Sequence, residues 1–270
     1  MDNKILIENI NTIIKKILEE KSKSVLHRKN ALPMELLIKK IENLQYERRS
    51  FKNSIKRKQD RISIIGECKK SVPLKGIIRK NYDLENIANL YYNSGVVDAI
   101  SVLTEEKFFL GDIYHLCRVR ETVPLPVLRK DFIFDEYQIY ESVYYGADAI
   151  LLICLLLSNE ELKRFYEIAK KLSLDVIFEV HTEQDIQKVL ELQPEIIGIN
   201  NRDLLTLRVD LRTTERLRGL IPKDVIVISE SGIKSKEDFD FISNQNVDAV
   251  LIGTFFMEAA DINQAIKSLI

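Results

Sequence analysis

Val176-Ile177-Phe178-Glu179, Ile196-Ile197-Gly198-Ile199-Asn200 and Val225-Ile226-Val227-Ile228-Ser229-Glu230 are the stretches whose reading decides the fold. Each is an apolar run of strand length that ends in a side chain a dry core cannot hold unpaired. Two further runs do the same: Ile62–Gly66 leads into Glu67 and Lys69, and Pro126–Leu128 leads into Arg129, Lys130 and Asp131. Repeated strand ends of this kind imply a shared rim. In a (β/α)8 barrel the carboxyl ends of the strands form that rim, and the chemistry sits there.

Outward from these runs, strand-like and helix-like patterns alternate. Strands are expected at 62–66, 98–102, 126–129, 148–153, 175–179, 195–199, 225–229 and 247–252. The intervening segments carry helical stripes, such as Leu84, Ile87, Ala88, Tyr91 and Leu162, Phe165, Ile168, Ala169. Strand and helix in alternation predict a parallel sheet with right-handed crossovers, and the number of units is the one that closes a TIM barrel. A faint repeat supports this: Asp98-Ala99-Ile100, Asp148-Ala149-Ile150 and Asp248-Ala249-Val250 open alternate strands, with Glu195-Ile196-Ile197 near the vacant register.

Residues 1–60 contain no glycine and carry helical periodicity in Ile5, Ile10, Ile13, Ile14, Ile17 and in Leu36, Leu37, Ile41, Leu44. They predict two or three helices, an N-terminal helical extension packed on a barrel at 61–270, the two making one structural domain. Within 46–61, Arg48, Arg49, Lys52, Lys56, Arg57, Lys58 and Arg61 stand against Glu47 and Asp60. A solvated helix face is the favoured reading of this basic stretch, and an RNA-binding patch the alternative.

The bulk properties exclude several classes. With 46% hydrophobic residues the chain can build a core, and a net charge of -1 gives no sign of a nucleic-acid partner. Cys68, Cys117 and Cys154 have no paired spacing and read as reduced thiols of a cytoplasmic protein. The N-terminus shows no signal peptide, and the longest apolar run, Ala149–Leu157, is too short to span a membrane. His27, His115 and His181 form no cluster with cysteine, so no metal is expected.

The rim residues fall into three groups. Glu67 and Lys69 share one side of their strand, either as an ion pair or as contacts to an anionic substrate. Lys130, crowded and partly desolvated, is expected to have its pKa lowered toward neutrality, as a general acid or as a Schiff-base amine. Glu67, Glu179 and Glu230 would surround it, and carboxylates around a lysine are an acid/base layout. Asn200, Asn201 and Arg202 offer donors to a carboxylate or hydroxyl, and His181 shares a side with Glu179. Ser231-Gly232 and Gly253-Thr254 follow the last two strands, where phosphate binds in this fold.

Together these residues resemble the indole-3-glycerol phosphate synthase family. The resemblance rests on Glu67-Cys68-Lys69-Lys70, Ala99–Glu105, Leu128-Arg129-Lys130-Asp131-Phe132, Glu179-Val180-His181, Ile197–Leu204, Ser229-Glu230-Ser231-Gly232-Ile233 and Leu251-Ile252-Gly253, in order along nearly the whole chain. It implies ring closure of 1-(2-carboxyphenylamino)-1-deoxyribulose 5-phosphate with loss of carbon dioxide and water. Lys130 would be the general acid, Glu179 would move protons in the dehydration, and Glu67 and Lys69 would position substrate and Lys130. Asn200, Arg202 and Glu230 would hold polar parts of the substrate, and Ser231, Gly232, Gly253 and Thr254 its phosphate. Phe109 and Phe132 would wall the anthranilate ring, or serve as plain core. No cofactor is implied.

The family usually shows Ser-Pro-Ser shortly after its first-strand lysine, where this chain reads Val72-Pro73-Leu74. Two hydroxyl donors are absent, and weaker substrate binding or an altered loop is expected. The alternatives are another phosphate-binding barrel, such as a sugar-phosphate isomerase or Schiff-base aldolase, and a non-catalytic barrel acting as a binding partner. A monomer or weak homodimer is expected, with contact to other tryptophan-pathway enzymes left open. Residues 1–45 are expected to form a partial lid.

Overall fold

The computed structural model describes residues 11–44 and 47–270; the expected helical positions Ile5 and Ile10 lie outside them. Among the described residues three helices come first: α1 (Thr12–Ala31), α2 (Met34–Glu42) and the short α3 (Phe51–Ser54). Strand β1 (Ser63–Cys68) follows, then a small hairpin of β2 (Ser71–Val72) and β3 (Gly76–Ile77). The chain continues through α4 (Leu84–Asn93), β4 (Val97–Leu103), α5 (His115–Thr122), β5 (Val127–Lys130), α6 (Glu136–Tyr144) and β6 (Ala149–Ile153). It ends with α7 (Asn159–Lys171), β7 (Asp175–Val180), α8 (Glu183–Leu190), β8 (Ile196–Asn200), α9 (Arg212–Arg218), β9 (Ile226–Glu230), α10 (Lys236–Ser243), β10 (Ala249–Ile252), α11 (Thr254–Glu258) and α12 (Ile262–Lys267).

Strands β1 and β4 to β10 close into a parallel barrel in sequence order. The expected strands all form, with their ends moved by a residue or two. The main difference is instructive: Glu67, Lys130, Asn200 and Glu230, like Glu179, are members of their strands, not residues after them. A strand can carry a charge to its last position when that position opens onto the barrel mouth.

The register sets the layers. Stepping up one residue at each strand crossing from Ile65 leads through Leu128, Ile177 and Ile228 and returns to Ile65. These four belong to one apolar cluster, as do Ala99, Ala149, Ile196 and Ala249 below them. Two positions further along the same four strands stand Glu67, Lys130, Glu179 and Glu230. Alternate strands of such a barrel share a layer, so the charged residues form one ring directly above a packed apolar one.

The aspartate repeat has a structural cause. Asp98, Asp148 and Asp248 each accept the backbone N–H of a neighbouring strand, Ile64 at 2.9 Å, Val127 at 3.0 Å and Val227 at 2.8 Å. Each carboxylate satisfies a donor that the staggered ladder leaves unpaired. At the vacant register Glu195 instead pairs with Lys52.

In the described part of the basic stretch, 47–61, several cations are tied to the barrel, while Lys56 and Arg57 stay exposed. Arg49 donates to Val123 O at 2.7 Å, Leu125 O at 2.8 Å and Arg120 O at 2.9 Å. Arg57 reaches Val247 O at 3.1 Å, and Arg61 pairs with Asp98 at 2.7 Å. Arg48 donates to Ala147 O. The charges are spent on carbonyls and carboxylates around the amino ends of the strands, where Phe51 and Ile55 close the barrel floor.

Helix α1 lies at the opposite end. Its cap Asn11 donates to Leu205 O at 3.2 Å, after β8, while Lys21, Arg28 and Lys29 reach Asp131, Glu141 and Asp135, after β5. Ile14 and Ile17 join the same apolar cluster as Phe132, Leu156 and Leu204. Helix α1 therefore crosses the mouth.

Candidate active site

Lys130 stands at the centre of the charged ring. Its ammonium is 2.9 Å from Glu179 Oε2 and also bonds Glu230 Oε2. Glu67 Oε2 is 2.6 Å from Lys69 Nζ on the same strand side. Burial disfavours charge on Lys130, but Glu179, Glu230 and Glu67 outweigh it and hold the lysine above its ordinary pKa. This corrects the expectation of a lysine lowered toward neutrality. Desolvation alone would lower it; three carboxylates around one ammonium reverse the sign.

The two partner carboxylates differ. Burial would raise Glu179, yet the Lys130 and His181 charges and hydrogen bonds from Lys130 and Asn200 pull it below the usual carboxylate value. Glu230 is pushed up to about 7 by burial and by the charges of Glu179 and Glu67, which exceed the pull of Lys130. Its Oε1 is buried without a hydrogen-bond partner. One carboxylate is thus held ionised while the other titrates near neutrality, a separation that assigns different proton-handling capacities to two identical side chains.

Two glycines make room for this ring. A Cβ on Gly198 would stand 2.2 Å from Glu230 Oε1, and one on Gly253 would stand 2.1 Å from Glu67 Oε2. The space a side chain at Gly253 would need is filled by the ends of Glu67 and Lys69.

Around the ring, Asn200 Oδ1 accepts from Arg202 N at 3.0 Å, and Arg202 donates to Leu207 O at 3.2 Å. Asn201 points elsewhere: it ties Ser229 Oγ and Ser231 O, each at 3.0 Å, and its Oδ1 accepts from Thr214. It fixes the loop that carries Ser231 and Gly232. That loop turns through φ of +66° at Ser231 and +107° at Gly232, a backbone that favours glycine. Thr254 begins α11 directly after Gly253. His181 Nε2 is 3.4 Å from Glu179 Oε1, and both ring nitrogens lack hydrogen-bond partners.

Glu105 organises the wall. Buried itself, it accepts N–H bonds from Lys107 at 3.1 Å, Phe108 at 2.7 Å and Phe109 at 2.8 Å. This turns the loop so that Phe108 and Phe109 pack against the inner cluster, beside Phe132. Phe132 is buried and Phe109 half-buried.

The profile described as indole-3-glycerol phosphate synthase matches residues 14–269. The chain belongs to the indole-3-glycerol phosphate synthase family. Proteins of that name are 52% identical over 217 residues in Acetivibrio thermocellus, covering 80% of this chain and 83% of that one. In Caldanaerobacter subterraneus subsp. tengcongensis the identity is 49% over 246 residues, 91% of this chain and 93% of that one. In Campylobacter jejuni subsp. doylei it is 40% over 258 residues, 96% of this chain and 100% of that one. The solved 3-hexulose-6-phosphate synthase from Salmonella typhimurium superposes with a TM-score of 0.62 at 14% identity, over 77% of this chain and 96% of that one, and shares the fold alone.

Val72-Pro73-Leu74, where the resemblance leads one to expect Ser-Pro-Ser, lies on the β2–β3 hairpin. Val72 ends β2, and Leu74 at the turn is 67% exposed. Ser71 is buried, and its N–H donates to Phe109 O at 3.2 Å, so the hairpin is joined to the aromatic loop. Among the described residues there is no cluster of metal-ligating side chains, and no helix is long and apolar enough to cross a membrane.

Proposed function

We propose that the protein is an indole-3-glycerol phosphate synthase, a carboxy-lyase of tryptophan biosynthesis acting in the cytoplasm. Its substrate would be 1-(2-carboxyphenylamino)-1-deoxyribulose 5-phosphate. The observation that carries this reading is the Lys130 ammonium held between Glu179 and Glu230 at the mouth of the barrel.

The residues divide the work as follows. Lys130, kept protonated, donates its proton to the ketone oxygen as the aromatic carbon attacks the carbonyl carbon. The attacking ring carbon then loses its carboxylate as carbon dioxide, and the electron pair of that broken bond restores the aromatic ring. The new hydroxyl then leaves as water with a second proton from Lys130, recharged by the protonated Glu230, while the carbon between the nitrogen and the carbinol carbon gives its proton to the ionised Glu179 and the double bond forms. Glu230, titrating near neutrality, keeps the charge on Lys130 adjustable between the two stages. Lys69 and Arg202 offset the charge of an anionic substrate, and Asn200 orients Glu179. Ser231, Gly232, Gly253 and Thr254 bind the phosphate, and Phe109 and Phe132 wall the aromatic ring.

A Schiff-base aldolase needs a neutral lysine amine, and the carboxylates around Lys130 oppose that form. Incubation with the substrate tests the reading: one carbon dioxide should be released for each indole product formed. A borohydride-trapped adduct on Lys130, with no carbon dioxide, would replace this reading with the aldolase.

A further inference from the structure

Helix α1 places a lysine where none would be expected from its polarity. Lys21 is fully buried, on the same helical stripe as Ile14, Ile17 and Val25. Its ammonium is 2.8 Å from Asp131 Oδ1, 2.9 Å from Asp131 Oδ2, 2.8 Å from Glu106 Oε2 and 3.1 Å from Thr104 O. A buried charge persists only with such compensation.

The partners are what matter. Asp131 follows Lys130 directly, and the N–H of Thr104 donates to the carbonyl of Lys130 at 3.1 Å. Lys21 thus bonds the groups that hold the Lys130 backbone on both sides. Asp131 is also fixed by Thr104 Oγ1 at 2.6 Å, by Arg129 at 2.9 Å and by the N–H of Phe132 at 2.9 Å. Arg129 in turn meets Glu141 at 3.1 Å, which Arg28 of α1 holds at 2.6 Å. The carboxylate of Asp131 stays ionised, since Lys21 and Arg129 outweigh the effect of burial.

We propose that Lys21 is a positioning residue for Lys130: through Asp131 and Thr104 it fixes the strand end that aims the ammonium at Glu179 and Glu230. The N-terminal helix is then part of the catalytic apparatus, not only a cover over the mouth. The inference rests on the proposed role of Lys130. Freed of this clamp, the end of β5 can shift, and a misplacement on the order of 1 Å costs about 100-fold in rate.

The test uses the full chain carrying Lys21→Ala. The expected result is a kcat at least ten-fold below wild type with KM within two-fold, restored toward wild type by propylammonium, which refills the socket, and not by propanol. A kcat within two-fold of wild type in the folded variant would overturn the proposal. So would equal recovery with propanol, which would mean that volume and not charge is needed. Should Lys21→Ala not fold, Lys21→Arg decides. It keeps the charge with a different donor geometry, and a several-fold lower kcat at unchanged KM supports the role, while wild-type kcat overturns it. A crystal structure of the variant reads the same claim without turnover. Lys130 displaced from Glu179 or Glu230 supports it and Lys130 unmoved refutes it, whereas inactive wild-type protein would refute the synthase reading instead.

Discussion

Replacing Gly198 with alanine probes the charged ring from beneath. The added Cβ would stand 2.2 Å from Glu230 Oε1 and 3.0 Å from Ile177 Cγ2, and real Cβ contacts essentially never fall below 3.0 Å. The Glu230 carboxylate must therefore retreat by at least ~0.8 Å, the gap between those two distances. Nothing bonds its Oε1, so the motion is resisted only through Oε2 on Lys130, and Lys130 is drawn away from Glu179 with it. A displacement near 1 Å at a reacting group costs about 100-fold, or ~2.7 kcal/mol of barrier. Overpacking costs a further ~1–3 kcal/mol of stability. Indole product fluorescence gives kcat and KM, and thermal unfolding gives the stability. A folded Gly198→Ala protein with kcat within two-fold of wild type would refute the claim that the Lys130–Glu230 geometry governs turnover.

Other outcomes follow from the same structure. Arg49→Ala removes donors to three carbonyls and should lower stability by about 2–3 kcal/mol in urea unfolding. Its KM should not change, and a stability equal to wild type would return the basic stretch to the solvated surface. Gly219 ends α9 at φ -65° with open space where a Cβ would lie, so Gly219→Ala should be neutral or stabilising by about 0.4–1 kcal/mol, and a loss of stability would contradict the local geometry. Glu230, raised to about 7 from 4.5, binds a proton in the folded state that the unfolded chain has released. Its stabilising contribution is present below pH 4.5 and lost as pH rises through 7. Across that window wild type should lose about 3 kcal/mol relative to Glu230→Gln in urea midpoints. A difference that does not change with pH would show that Glu230 is ionised throughout.

The barrel was legible because its strands announce themselves at both ends. The apolar runs mark their length, the rim charges mark their carboxyl ends, and the repeated aspartates mark alternate amino ends. Lys130, Glu179, Glu230, Glu67 and Lys69 are brought together because the period of two along a strand and the alternation between strands are geometric rules that sequence obeys. Protonation was not legible. Whether Lys130 is lowered by burial or raised by its neighbours depends on distances of about 3 Å between strands, which no spacing along one strand reveals. Asp131 and Arg129 belong to a buried network with α1 that joins residues 110 positions apart. Lys21 did leave a signal, since it occupies an apolar position of an otherwise regular helical stripe. Glu105 stood in the Ala99–Glu105 motif, but its role was not legible, because its work is to accept backbone donors from a loop.

The proposed chemistry rests on the ammonium of Lys130 and is tested most directly by removing it. Purified wild-type protein and Lys130→Ala are each supplied with the carboxyphenylamino-deoxyribulose phosphate, and indole product is followed by fluorescence. Turnover in wild type and a loss of at least about 1,000-fold in the folded variant are predicted, the scale of removing both an acid and a charge aimed at the developing oxyanion. Folded wild-type protein that forms no indole product, or a variant that retains its rate, would contradict the account.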